Sequence, residues 1–226
     1  MKKPFYQMNK NENSAELLIY GDITSYKWFE DDVCAYDLAK ELKELDGIDL
    51  TVRINSYGGE VAQGLAIYNL LKSYEGNVTT LCDGFACSAA SVIFMAGQKR
   101  RMPKSSLLMI HNAWSYASGD ANALRKQADD LEKITKPSIE IYKSVSNLDE
   151  ETIKTMMDDE TWITAEEAFE YGFATSIVED EANQSLSNEM LSKLVHRTKE
   201  LEKQLNILQP TNSKDNFKEN KNGWFF

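Results

Sequence analysis

Short apolar runs alternate with amphipathic stretches over residues 17–181, a pattern that predicts an α/β domain followed by an α-helical C-terminal appendage. Three observations carry this expectation: strand-like runs, helical spacing between them, and a change of composition near residue 182. AELLIYGDI (15–23) and IDLTVRINS (48–56) read as strands. Between them, EDDVCAYDLAKELKELDG (30–47) sets Val33, Tyr36, Leu38, Leu42 and Leu45 at helical spacing and stops at Gly47. A second helix, VAQGLAIYNLLKSYEG (61–76), and the strand VTTLCDG (78–84) complete an order of strand, helix, strand, helix, strand.

SAASVIFMAG (88–97) then reads as a short apolar helix, entered through a turn at Gly84, and SSLLMIHNAW (105–114) as a strand leading into a loop. The long stretch 120–146 predicts a helix with Asp120 as N-cap and a kink or local break at Pro137. LDEETIKTMM (148–157) starts another helix. In TAEEAFEYG (164–172), Thr164 and Glu167 form a capping box and Gly172 closes the helix.

The first 16 residues read as a flexible segment, and 182–226 as a polar helix with a disordered tail. Leu191, Leu194, Leu201, Leu205 and Leu208 give that helix an apolar seam, which Pro210 ends before the closing WFF. An excess of 36 acidic over 25 basic residues, net −11, argues against nucleic acid or an anionic membrane as partner. No apolar stretch reaches the ~18 residues of a membrane span and the start lacks a secretory core, so a cytoplasmic protein is expected. Cys34, Cys82 and Cys87 are odd in number and lack metal-type spacing, which predicts reduced thiols.

The chemistry is narrowed by the presence of just two histidines, His111 and His196. Serine hydrolysis needs a base that titrates near neutral pH. His196 falls in the polar appendage, whereas His111 ends an apolar strand beside a loop, where functional side chains are mounted. Ser88 sits at a helix start, where first-turn amides can face a developing oxyanion; by position alone an N-cap is the better reading, with Ser91 in a packing role. Gly58 and Gly59 let backbone approach a ligand closely, though an ordinary turn would use them too.

Four blocks in order, INSYGGEVAQGLAIYNLL (54–71), GFACSAAS (84–91), LLMIHNAW (107–114) and WITAEEAFEYGFATSIV (162–178), resemble the Clp protease proteolytic subunits (ClpP). The resemblance implies a crotonase-like spiral of β-β-α units. It assigns the nucleophile to Ser88, the general base to His111, and the oxyanion amides to Gly59 and Ala89. The family's acid is an aspartate two residues before the aromatic that is Trp162 here; this position holds Glu160, with Asp159 the runner-up. No metal or organic cofactor is implied. Rings of six or seven subunits acting on polypeptides are implied, with an AAA+ ATPase as a possible partner.

A short, unmatched start with a long tail, and the blocks IYGDI (19–23) and DDETWITAEEA (158–168), look like the phage and prophage head maturation proteases, which process capsid or scaffold protein, in a host cytoplasm if phage-encoded. Four other readings compete. They are a general ATP-dependent Clp subunit, a peptidase with Lys104 as base, a crotonase-fold acyl-CoA enzyme that does not need Ser88, and a non-enzymatic shell subunit.

Overall fold

The computed structural model describes residues 8–10, 14–25 and 32–178. Its longest strand, β4 (Val78–Cys87), lies at the centre of an eight-stranded sheet. On one side β3 (Asp49–Ser56) and β2 (Ser14–Ile19) follow in parallel, and β1 (Met8–Lys10) closes the edge antiparallel to β2. Parallel neighbours need crossovers, supplied here by α1 (Ala35–Lys43) between β2 and β3 and α2 (Val61–Lys72) between β3 and β4. Leu17, Ile19, Val52, Ile54, Ile67 and Leu71 from these elements are fully buried. β1 and the first residues of β2 fall within the span 1–16.

On its other side β4 divides between two partners. Thr79–Leu81 pair with β5 (Lys99–Pro103), which pairs with β8 (Ser176–Val178). Phe85–Cys87 pair instead with β6 (Leu107–Ile110), which takes β7 (Thr161–Thr164) antiparallel. A bulge separates the two halves: Ile54 faces Cys82 but Ser56 faces Ala86, so Asn55 stands against several β4 residues. Asn55 Oδ1 accepts the Phe85 amide at 3.1 Å, and a Cβ at Gly84 would lie 2.7 Å from that oxygen. Gly84 is therefore part of a bulged strand and not the turn expected from the sequence.

The remaining helices are α3 (Ala89–Phe94), buried throughout, α4 (Ala121–Val145), α5 (Glu150–Asp158) and α6 (Ala165–Tyr171). Asp120 caps α4 by accepting the Asn122 and Ala123 amides, and the Thr164–Glu167 capping box of α6 forms as expected. Gly172 ends α6 in the left-handed conformation, φ 86°.

Several expectations are corrected. The helix read across 30–47 is limited to α1. Val33 is buried in a bridge with Ile23, and Tyr36 is exposed, with the Lys40 ammonium over its ring. Pro137 does not interrupt α4; it lies on the exposed face, where the carbonyl it leaves unpaired can take water. The sequence pattern does not predict β1, β5, β7 or β8. In β5 (KRRMP) the charge that masks the strand is used, since the Arg100 guanidinium donates to the carbonyls of Gly97, Gly172 and Phe173. The expected appendage helix, its tail and His196 lie outside the described residues. Among the described residues no helix is long and apolar enough to cross a membrane.

Candidate active site

β4 ends at Cys87 and α3 begins at Ala89, so Ser88 alone turns the chain from strand to helix. It does so at φ 54°, ψ −125°, a conformation that costs an L residue about 1–3 kcal/mol and persists only where its surroundings impose it. Here the Ser88 amide donates to the Met109 carbonyl at 2.9 Å. Its own carbonyl accepts the Ser91 and Val92 amides and the Ser91 hydroxyl. The Ser88 side chain makes no capping hydrogen bond, so the N-cap reading available from position alone does not hold. Its Oγ lies 2.8 Å from His111 Nε2.

Strand register explains the meeting. β6 runs parallel to β4 with Met109 opposite Cys87, and both strands then release their next functional residue at the same end of the sheet. β7 returns antiparallel with Thr161 opposite Ile110, which brings residue 160 toward residue 111. His111 Nδ1 stands 3.7 Å from Glu160 Oε2, longer than a direct hydrogen bond. The Glu160 side chain is 61% exposed, against 15% for the imidazole.

Of the three consecutive acids, Glu160 is the one that reaches the histidine. Asp159 is the C-cap of α5, and Asp158 accepts from Asn112 Nδ2 at 2.7 Å. Lys104 precedes β6, at the end of that strand opposite His111.

The glycine pair presses against the serine. Gly58 (φ 103°) and Gly59 (φ 146°) occupy backbone conformations that suit residues lacking Cβ. A Cβ on Gly58 would lie 2.7 Å from Ser88 Cβ, and one on Gly59 would lie 2.1 Å from the Ile23 carbonyl oxygen. Ile23 donates to the Gly58 carbonyl and accepts the Glu60 amide, a parallel bridge that leaves the Gly59 amide directed away from Ile23. The Ala89 amide opens α3 and has no partner within the helix. A cleft lined by Val61, Ala89, Val92 and Tyr142 opens onto Ser88 and His111. Burial, with the Glu160 charge adding to it, pushes the Cys87 thiol up to about 11, so this neighbour of Ser88 stays protonated.

Sequence reasoning missed Tyr142 and gave Ser91 only a packing role. The two are hydrogen-bonded to each other from 51 positions apart, a separation that leaves no local signal.

Residues 13–181 match the family model described as Clp protease. ATP-dependent Clp protease proteolytic subunits of Bacteroides thetaiotaomicron and Porphyromonas gingivalis are each 34% identical, over 154 and 156 residues. Both alignments cover 66% of this chain and 70% of the relative. A solved structure of a ClpP1 mutant from Listeria monocytogenes superposes with a TM-score of 0.63 at 25% identity, covering 74% of this chain and 92% of that one. This likeness gives the α/β sheet its finer description, a ClpP-like fold of the crotonase type. The chain belongs to the Clp protease family and is an enzyme of its serine peptidase class.

Proposed function

We propose that the chain is an endopeptidase that cleaves peptide bonds through an acyl-enzyme on Ser88. The observation that supports this reading best is a serine held at a strained strand-to-helix turn, its hydroxyl committed to His111 and not to capping the helix. His111 Nε2 takes the Ser88 proton as Oγ attacks the scissile carbonyl carbon. The Gly59 and Ala89 amides donate to the oxyanion, and Glu160 orients the imidazole and stabilises its cation. Collapse of the tetrahedral adduct breaks the C–N bond, and the His111 proton goes to the leaving amine. Water, deprotonated by His111, then attacks the acyl carbon; the carboxylic acid leaves and Ser88 regains its proton. No step in this scheme calls on a metal or organic cofactor.

At a finer level we assign the chain to head maturation, with an extended segment of capsid or scaffold protein as substrate, enclosed in rings of six or seven subunits in the cytoplasm. The IYGDI (19–23) and DDETWITAEEA (158–168) blocks support this branch. A general ATP-dependent role is the second reading, favoured by the names of the relatives. Cleavage of a co-expressed capsid precursor without an ATPase supports the first; casein degradation that requires an added AAA+ ATPase supports the second.

The chemistry is tested with a fluorophosphonate that labels activated serines. Wild type and Lys104→Ala are expected to label, and Ser88→Ala is not. Labelling or precursor processing that survives in Ser88→Ala would overturn the peptidase scheme in favour of an acyl-CoA enzyme or a shell subunit. Loss of labelling in Lys104→Ala would favour a lysine base.

A further inference from the structure

We propose that Tyr142 and Ser91 are positioning residues that aim the Ala89 amide at the oxyanion. The inference rests on the acyl-transfer reading above and deepens it. Ser91 Oγ lies 2.6 Å from the Ser88 carbonyl oxygen and 2.8 Å from the Tyr142 hydroxyl. A carbonyl only accepts, so Ser91 spends its one proton on Ser88, and the hydrogen bond with Tyr142 must have the tyrosine as donor. The chain of donation therefore runs Tyr142 O–H to Ser91 Oγ–H to Ser88 C=O.

That carbonyl belongs to the same planar peptide unit as the Ala89 N–H, and in a trans peptide the two point in opposite directions. Fixing one end of the unit fixes the other. The Ser91 and Val92 amides also reach the Ser88 carbonyl, as helix geometry requires. A serine hydroxyl bonding back along its own helix is ordinary as well. The unusual part is a donor to the Ser91 hydroxyl that arrives from α4, enclosed behind a residue in a strained conformation. Ser91 and Tyr142 are 0% and 1% exposed, so neither hydroxyl can turn to bulk water. Burial pushes the Tyr142 hydroxyl well above the usual tyrosine range, which keeps it a donor at any working pH. α4 also holds the other catalytic segment, since the Ala113 amide, two residues past His111, donates to Thr135 Oγ1 at 3.1 Å.

The test uses the full chain and a fluorophosphonate, whose phosphoryl oxygen occupies the oxyanion site as Ser88 is phosphonylated. Tyr142→Phe and Ser91→Ala are each expected to lower the limiting labelling rate about tenfold, as for a weakened oxyanion donor. The half-saturating probe concentration and the pH midpoint set by His111 should not change. Because both substitutions cut one chain, the double variant should be no slower than the slower single variant. Rates are expressed per folded molecule from circular dichroism, and Ser91→Ala stands in if Tyr142→Phe fails to fold. Limiting rates within twofold of wild type in the folded variants, additive losses, or a shift confined to half-saturation would overturn the proposal. A wild type that does not label at all would instead sink the Ser88 nucleophile reading, and this inference with it.

Discussion

Three acids in a row, Asp158, Asp159 and Glu160, are chemically near-equivalent, and the structure sets them in different surroundings. Glu160 leaves α5 at φ 49°, a left-handed step that swings its carboxylate toward His111 Nδ1. Asp159 is still in the α-region at the helix end, and Asp158 is engaged by Asn112. The proposed scheme therefore expects Glu160→Gln to lower turnover by about 10²–10⁴-fold, a range bounded above by the loss of a buried triad aspartate. Asp159→Asn should change turnover less than about threefold, the level of an ordinary surface substitution. Equal activity of the two variants, measured as fluorophosphonate labelling rate, would remove Glu160 from the scheme.

At the scale of elements, the site depends on how neighbouring segments end. β4 delivers Ser88 because the Asn55 bulge lets its second half leave β5 and run beside β6. β7 delivers Glu160 from the other side of β6, and its far end is secured where Thr164 Oγ1 accepts the Glu167 amide and Glu167 accepts the Thr164 amide. Removing that cap with Thr164→Ala should cost about 1 kcal/mol. For a chain of this size that corresponds to a fall of about 2–4 °C in melting temperature by calorimetry. An unchanged melting temperature would mean that α6 is held by the burial of Ala165 and Ala168 and not by its cap.

At the scale of the whole molecule, burial controls two of the three thiols. Cys82 and Cys87 are buried, and burial pushes Cys82 up to about 12 and Cys87 up to about 11. An unfolded chain binds these protons less tightly, so their contribution to stability is complete below about pH 8.5 and is lost as pH rises toward 11 and 12. Urea midpoints should fall between pH 9 and 11, and in Cys87→Ala that fall should be smaller. Iodoacetamide should modify Cys82 and Cys87 only after unfolding, whereas the half-buried Cys34 can react earlier; rapid alkylation of Cys82 or Cys87 in the native protein at pH 8, located by peptide mass spectrometry, would contradict their burial.

α4 carries Leu124 and Ile134 on exposed positions, each 44% accessible. The proposed rings would cover such residues. Sedimentation of the full chain should then give six- or seven-fold multiples of the single-chain mass, and Leu124→Asp should shift the population to smaller species. A monomer at micromolar concentration would rule the rings out.

Much of this protein is legible in its local chemistry. Alternation of apolar runs determined the central strands and their crossover helices, and side chains a few positions apart determined the caps at Asp120, Thr164 and Gly172. The scarcity of histidine pointed to His111, and the family blocks pointed to Ser88, Glu160 and the glycine pair. Tertiary structure alone decided the rest. β5 is charged and β7 only four residues long, and they become strands because a neighbour supplies the ladder. The strain at Ser88, the approach of Glu160 to His111, and the Tyr142–Ser91 relay depend on contacts between segments far apart in the chain. No periodicity within one segment encodes such a contact, because the partner's position is set only when the sheet closes around it.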